Sequence, residues 1–169
     1  MKNALRTLVL FFVLFAGSVS AQTKIGHINF QQLLSVMPER AAATKQMEAH
    51  GKELENQLTE LQKDFQAKVA DYQKASATMT DIVRSTKEGE LRDLQQRIQN
   101  FQVAAQQDVQ KKQKELFQPI LEKAQGAVKK VAKEQAMTYV LDTSSGVVLY
   151  QSNESIDILP LVKVALGIK

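Results

Sequence analysis

Apolar residues recur every three or four positions through the middle of the chain, which predicts long amphipathic helices. In the first half the stripe comprises Met47, Leu54, Leu58, Leu61, Phe65, Val69 and Tyr72. In the second half it comprises Leu91, Leu94, Ile98, Phe101, Ala105, Val109, Leu116, Ile120, Ala124, Val128 and Val131. Because this spacing places each set on one helical face, the two stripes can pack against each other. The pattern predicts an antiparallel helical hairpin.

A segment between the two stripes has the composition of a turn. In residues 76–84, Thr and β-branched residues replace the surrounding Gln, Glu and Lys. Just beyond, Ser85 and Glu88 have the spacing of a capping box, which predicts a helix start there. With about 45 residues per helix, the hairpin would be on the order of 65 Å long at 1.5 Å per residue. It is therefore expected to project from the domain as an arm.

β-Branched and aromatic residues concentrate near the two ends of the chain and predict short strands. These segments are residues 24–30, 139–142 and 146–150, with Ser144-Ser145-Gly146 resembling a hairpin turn before the last one. The predicted fold class is α+β and predominantly helical, with a small β body of about three short strands and the helical arm. We assign the body to residues 22–34 and 137–169, and the arm to about residues 35–136.

The predicted body is small, which indicates self-association. Three short strands with short flanking helices bury too little apolar surface for an independent core. The unpaired edges of a short sheet also invite pairing with another chain. We therefore predict an oligomer joined through its strands. The residues assigned to this oligomerisation core are Ile25, Ile28, Phe30, Val140, Leu141, Val147, Val148 and Leu149.

Residues 1–21 have the pattern of a cleaved secretory signal. Lys2 and Arg6 precede an apolar run from residue 8 to residue 16, and small residues end at Ala21. That run is shorter than the roughly 20 apolar residues that cross a membrane. Residues 22–169 are therefore predicted to form one exported, soluble domain.

Charge and cysteine content argue against several classes of protein. The full chain carries 22 Lys and Arg against 18 Asp and Glu, and cleavage removes Lys2 and Arg6. The near balance that remains disfavours a nucleic-acid-binding protein, an interpretation that would revive if residues 1–21 stayed uncleaved in the cytoplasm. The chain has no Cys, which excludes disulfides and thiolate metal sites.

Candidate catalytic chemistry is sparse. The two histidines, His27 in a predicted strand and His50 on a predicted helix, lie at no metal-ligand spacing from one another. The sequence contains neither a Gly-rich phosphate loop nor a nucleophile elbow. We therefore expect no enzyme, and no catalytic, cofactor-binding or metal-binding residues.

Five segments stand in a distinctive order around the helical middle of the chain: residues 24–34, Pro38, the return segment 117–134, and the segments 140–142 and 148–150. Together with that helical middle, they resemble the Skp/OmpH-like periplasmic chaperones. The resemblance spans essentially the whole chain after residue 21 and depends on the order and lengths of elements, because no single motif is diagnostic. The sequence departs from the family at Ala136-Met137, where a Gly-aromatic pair is expected, and at Ile158-Leu159, where an Asp-Ile/Leu-Thr helix start is usual.

The resemblance implies a homotrimer with a small β-barrel-like core and three helical arms around a central cavity. It implies ATP-independent holding of unfolded outer-membrane β-barrel proteins in the periplasm. The alternative is a structural or tethering coiled coil that binds a folded envelope partner or the cell wall.

Holding an unfolded barrel strand requires many weak apolar contacts on the arm. The candidate client contacts are Tyr72, Met79, Ile82, Val83 and Val103. Met79 suits varied partners because its unbranched side chain adapts to different shapes. Tyr72 lies on the helical stripe, so packing between the two helices is its alternative role.

Two further features of the second helix have open interpretations. Its lysines at residues 111–114 and 129–133 would attract acidic clients or anionic lipid headgroups. The alternative is a solvated helix face with ion pairs such as Lys111 and Glu115. Pro119 removes one backbone N–H within the helical pattern. It predicts a kink that acts as a hinge, with a simple helix break as the alternative.

Overall fold

A computed structural model describes residues 23–168. The predicted signal at residues 1–21 lies outside the described residues. The elements in chain order are β1 (Ile25–Ile28), α1 (Phe30–Val36), α2 (Pro38–Ala75), a 3₁₀ turn (Ser76–Thr78), α3 (Asp81–Glu134), β2 (Tyr139–Asp142), β3 (Ile156–Asp157) and α4 (Leu159–Ala165). The α+β class, with a long helical hairpin and a small sheet, is confirmed. None of the helices in residues 23–168 is long and apolar enough to cross a membrane.

Helices α2 and α3 form the arm. They contain 38 and 54 residues, which correspond to about 57 and 81 Å at 1.5 Å per residue. Thr80 caps α3, because its hydroxyl accepts a hydrogen bond from the backbone N–H of Val83 at 3.4 Å. The predicted start at Ser85 is wrong: Ser85 and Glu88 lie inside the helix, since Thr80 already caps it more than one turn earlier.

Helix α3 is continuous from Asp81 to Glu134 and passes through Pro119. The simple helix break is therefore wrong. Pro119 is exposed and removes one backbone hydrogen bond, whereas the adjacent Ile120 is buried in the core that this part of the helix shares with the body. A hinge at Pro119 stays a prediction.

The sheet has the order β2-β1-β3, and β1 runs parallel to both neighbours. Its register pairs Ile25 with Tyr139 and Gly26 with Ile156. Parallel strands need a crossover connection, and here the crossover between β1 and β2 is the entire arm. The arm is thus an insertion between two adjacent strands, and both of its ends are tied to the body.

The predicted strand at residues 146–150 is wrong, because this segment is irregular and the third strand lies at Ile156–Asp157. Asp142 Oδ1 accepts hydrogen bonds from the backbone N–H and hydroxyl of Ser144 at 2.8 and 2.7 Å. Gly146 follows with a φ of 70°, which only glycine adopts without strain. The chain therefore turns out of the sheet, and Leu149 is left 95% exposed.

The core lies where the base of the arm meets the body. Its buried residues are Ile28, Leu33, Leu34, Met37, Ala43, Ile120, Ala124, Ala127, Val131, Ile158 and Val162. Four of them belong to the last third of α3, within the range that the sequence analysis assigned to the arm. The part of α3 between residues 116 and 131 is therefore both arm and body.

The residues predicted for the oligomerisation core divide into two groups. Ile28 is 2% exposed, and Phe30 and Val140 pack against the same core, so these three serve the fold of one chain. The others lie outside that core, and their role between chains stays a prediction. This second group comprises Ile25, Leu141, Val147, Val148 and Leu149.

The position that departs from the family before β2 carries backbone strain. Ala136 has a φ of 50°, in the left-handed region that glycine prefers. The N–H of Ala136 donates to Lys133 O and the N–H of Met137 donates to Ala132 O, which is the Schellman ending of a helix. Helix α4 ends in the same way, but with Gly167 at the left-handed position.

Candidate functional site

The arm leaves most of its apolar stripe partly open to solvent. Leu94, which is 4% exposed, is the one fully buried stripe residue between the tip and residue 119. The α2 stripe from Met47 to Tyr72 is only half-buried throughout. Two helices cannot enclose a seam on all sides, since a helix pair leaves both edges of the contact open. The arm therefore presents apolar surface along its length.

Polar contacts join α2 to α3 at three levels of the arm. The pairs are Glu39 with Lys123 at the base, His50 with Asp108 in the middle and Tyr72 with Glu88 near the tip. The hydrogen bond from Lys123 lowers the pKa of Glu39. The His50 Nε2 to Asp108 Oδ2 distance is 2.6 Å, and the Tyr72 hydroxyl donates to Glu88 Oε1 at 2.6 Å. These contacts mark which residues of α2 lie opposite which residues of α3.

The tip brings three predicted client contacts together. The connection runs from the 3₁₀ turn through Met79 and Thr80 into the first turn of α3. Ile82 is 81% exposed and Val83 is 44% exposed, whereas Met79 is half-buried. All three lie within five residues at the end of the arm, and we call this group the apolar tip patch.

Tyr72 and Val103 do not join this patch. Tyr72 is half-buried, and its hydroxyl is directed at Glu88 of the facing helix. This hydrogen bond raises the pKa of Tyr72. Val103 is exposed on α3, about six turns from the helix start. Tyr72 therefore lies in the contact between the two helices, and client contact at Tyr72 and Val103 stays a prediction.

A groove halfway along the arm was not found from the sequence. It has a volume of about 470 Å³ and is lined by Asn56, Gln57, Glu60, Leu61, Asp64 and Phe101. Its apolar wall is formed by Leu61 of α2 and Phe101 of α3. Both residues are on the predicted stripes, but their meeting depends on the register between the helices, which periodicity leaves open.

The body presents an apolar sheet face and a cleft. Ile25, Tyr139 and Leu141 are exposed on β1 and β2. The cleft has a volume of about 580 Å³ and lies between these strands and the segment that includes Val148 and Tyr150. At the edge of the cleft, His27 Nδ1 lies 2.8 Å from the Ser155 hydroxyl. This contact joins the chain segment before β3 to β1.

Asp142 fixes the turn that follows β2. Burial tends to raise the pKa of its carboxyl, but hydrogen bonds from the Ser144 hydroxyl and from the N–H groups of Ser144 and Phe30 outweigh this effect. The net result is a pKa below the usual 3.8. Asp142 therefore stays ionised and holds both the start of α1 and the turn.

Charged groups elsewhere are mostly exposed. Lys111 and Glu115 lie 3.8 Å apart, and Lys130 and Glu134 lie 4.0 Å apart. Exposed pairs of this kind contribute little to stability. Across residues 23–168, no three His, Asp or Glu side chains are grouped so that they could hold a metal ion.

Residues 24–166 match the family described as outer membrane protein (OmpH-like). The chain belongs to the OmpH-like family. Chaperone protein Skp from Blochmanniella pennsylvanica is 30% identical over 164 residues, covering 95% of this chain and 98% of that protein. Chaperone protein Skp from Pectobacterium atrosepticum is 30% identical over 151 residues, covering 88% and 90%. The resemblance to the Skp/OmpH-like chaperones is thereby confirmed.

A solved structure supports the OmpH-like fold. An OmpH-like protein from Caulobacter crescentus CB15 superimposes with a TM-score of 0.74, covering 86% of this chain and 85% of that chain. The two sequences are 13% identical in this comparison. The two proteins therefore share the arrangement of body and arm, although few of their residues are identical.

Proposed function

We propose that this OmpH-like chain is an ATP-independent periplasmic holdase that binds unfolded outer-membrane β-barrel proteins and prevents their aggregation. The observation that carries the proposal is the arm, in which two long helices leave an apolar seam half-exposed and display Ile82 at the tip. An enclosed core would offer a client nothing to contact. The Skp chaperone relatives and the signal-like pattern of residues 1–21 support the proposal.

Weak, distributed contacts suit such a client. An unfolded barrel strand alternates apolar and polar side chains, so it presents no continuous apolar surface. Burying about 100 Å² of apolar surface contributes about 2.5 kcal/mol, which is less than the 4–15 kcal/mol that association is estimated to cost. A single arm tip is therefore too weak, and several arms acting on one client would be needed. Holding of this kind uses no catalytic group and no cofactor.

We also propose a homotrimer. The exposed sheet face, together with Val147 and Leu149, is an apolar surface that a single chain leaves uncovered. Such surfaces and free strand edges promote association. The composition of residues 146–150 favours a strand, but this segment pairs with no strand of its own chain among residues 23–168. Pairing with a free sheet edge of a neighbouring copy would give it a partner. Three arms would then surround a common cavity.

The base of the arm carries positive charge that suits transient contact with anionic lipid headgroups. Residues 111–134 contain seven lysines and three glutamates. In a trimer this field would be repeated three times around the assembly, with strong sensitivity to salt. Acidic client segments would be attracted by the same field.

Light scattering after dilution of a urea-denatured outer-membrane barrel protein tests the holdase proposal. Residues 22–169 at stoichiometric trimer are expected to suppress aggregation. Replacing Met79 and Ile82 together by Ser should weaken suppression while circular dichroism and sedimentation stay unchanged, because neither side chain belongs to the hydrophobic core of the described residues. Val164→Ser, which removes a 76% exposed apolar side chain from the body, is the control and should have no effect.

Failure of the unaltered protein to suppress aggregation would contradict the holdase. If it instead bound a folded envelope protein, the tethering coiled coil would be the better description.

A further inference from the structure

The end of the arm is held by three half-buried side chains that we call the tip clasp: Tyr72, Arg84 and Glu88. The Tyr72 hydroxyl donates to Glu88 Oε1 at 2.6 Å, which links α2 to α3. Arg84 Nη2 lies 3.4 Å from the backbone oxygen of Ser76, the residue that ends α2. Both contacts therefore span the connection that carries the apolar tip patch.

Arg84 occupies a favourable place for a cation. The last carbonyl groups of a helix lack intrahelical partners and carry partial negative charge. The guanidinium of Arg84 approaches this end of α2, and its Nε is buried without an acceptor among residues 23–168. Arg84 is thus half-buried against the connection, and its unpaired Nε is an energetic cost of this position.

Packing does little to fix the same region. Ile82 and Val83 are exposed. The nearest fully buried arm residue in the described chain is Leu94, more than one helical turn beyond Glu88. Chain segments with few buried contacts open locally at low free energy. The polar contacts of the clasp therefore restrain the tip together with the partial burial of Met79.

We propose that Tyr72, Arg84 and Glu88 are positioning residues that keep the apolar tip patch ordered and directed outward, and that Tyr72 is not itself a client contact. This inference rests on the proposed holdase function and assigns how its tip is maintained. A tip released from the clasp would have to become ordered during client binding, which lowers affinity.

Tyr72→Phe separates the two roles of Tyr72, because they predict opposite results. Phenylalanine keeps the ring and removes the hydroxyl, so a direct client contact would be preserved or strengthened. A positioning role predicts a several-fold weaker affinity for a fluorescently labelled, denatured outer-membrane barrel protein. It also predicts faster amide hydrogen exchange in residues 76–84 of the client-free assembly.

Variants of Glu88 test whether the link itself is responsible. Glu88→Gln keeps an acceptor for the Tyr72 hydroxyl and should stay close to the unaltered protein, whereas Glu88→Ala should resemble Tyr72→Phe. The double variant Tyr72→Phe with Glu88→Ala should be no weaker than either single change, since both remove the same interaction. His50→Gln alters the mid-arm pair and should leave exchange in residues 76–84 unchanged.

Hydrogen exchange is measured without client, so it tests the clasp separately from the holdase function. Unchanged exchange in Tyr72→Phe, or client affinity equal to or above that of the unaltered protein, would overturn the positioning role. Loss of aggregation suppression in the unaltered protein would overturn the proposed function and leave the exchange result to decide the clasp.

Discussion

The body and the arm of this chain differ in how much they bury. Eleven apolar residues are enclosed where the body meets the base of the arm, whereas Leu94 is the one enclosed residue in the outer arm within the described chain. In the body, the choice of residue is constrained by the side chains that enclose it. In the arm, it is constrained by helical spacing and by contacts between the two helices at a few levels. Substitutions in the body are therefore expected to affect folding, and those in the arm to affect local order and client capture.

The largest difference is expected when charge enters the core. Ile28→Asp places a carboxylate at a position that is 2% exposed, and an unpaired buried charge costs several kcal/mol. Thermal unfolding followed by circular dichroism should show the loss of the cooperative transition. Val148→Asp is the matched change at a half-exposed position outside this core and should leave each chain folded while reducing the oligomer in sedimentation. Equal unfolding by both changes would contradict the separation of fold and assembly residues.

Truncation of the enclosed arm residue should have a smaller, local effect. Leu94→Ala is expected to cost about 2 kcal/mol, at the low end for buried leucines, because two helices can close partly around the missing volume. Hydrogen exchange should accelerate in the outer arm and stay unchanged in β1 and β2. Acceleration throughout the molecule would mean that the arm and the body unfold as one unit.

A stabilising change is available at the join between arm and body. Ala136 has a φ of 50°, a conformation that costs a non-glycine residue about 1–2 kcal/mol. Ala136→Gly should recover about 1 kcal/mol and raise the melting temperature of the body. The reverse change at the equivalent position of α4, Gly167→Ala, should lower it. A decrease with Ala136→Gly would show that backbone entropy outweighs the relief of strain.

The smallest effects come from adding one methyl group to either region. A Cβ on Gly51 in the arm would meet no described atom within 4 Å, whereas a Cβ on Gly26 in β1 would lie 2.5 Å from Met137 Sδ and 3.3 Å from Ile158 Cγ2. Gly51→Ala should stabilise α2 by about 0.5–1 kcal/mol through reduced chain entropy. Gly26→Ala should destabilise the body, because Met137 would have to move. Chemical denaturation of both variants should show a higher free energy of unfolding for Gly51→Ala and a lower one for Gly26→Ala.

The long helices and the first two strands, which depend on residues close together in the chain, were predicted correctly, whereas two of their boundaries and turns were not. Spacing identified the helical hairpin, and composition identified β1 and β2. The start of α3 was missed because two hydroxyl residues, Thr80 and Ser85, both offer caps, and the chain uses the earlier one. Residues 146–150 have strand composition, but the turn held by Asp142 directs them away from the sheet.

Elements that depend on distant residues were not predictable in the same way. The contribution of α3 to the body core, the groove at Leu61 and Phe101, and the hydrogen bond between Tyr72 and Glu88 all require knowledge of which residues lie opposite each other. A stripe shows which face of a helix is buried but not its partner in the facing helix.

The amino-acid sequence alone therefore determined that the chain has a helical arm and short strand segments near its two ends, because helical period and strand composition are local properties. The parallel pairing of the strands came from the tertiary structure. The tertiary structure decided the register of α2 against α3, the burial of the base of α3 in the body, and the exposure of the tip patch. These depend on how the hairpin closes and where it docks, and many residues far apart in the chain set that geometry together.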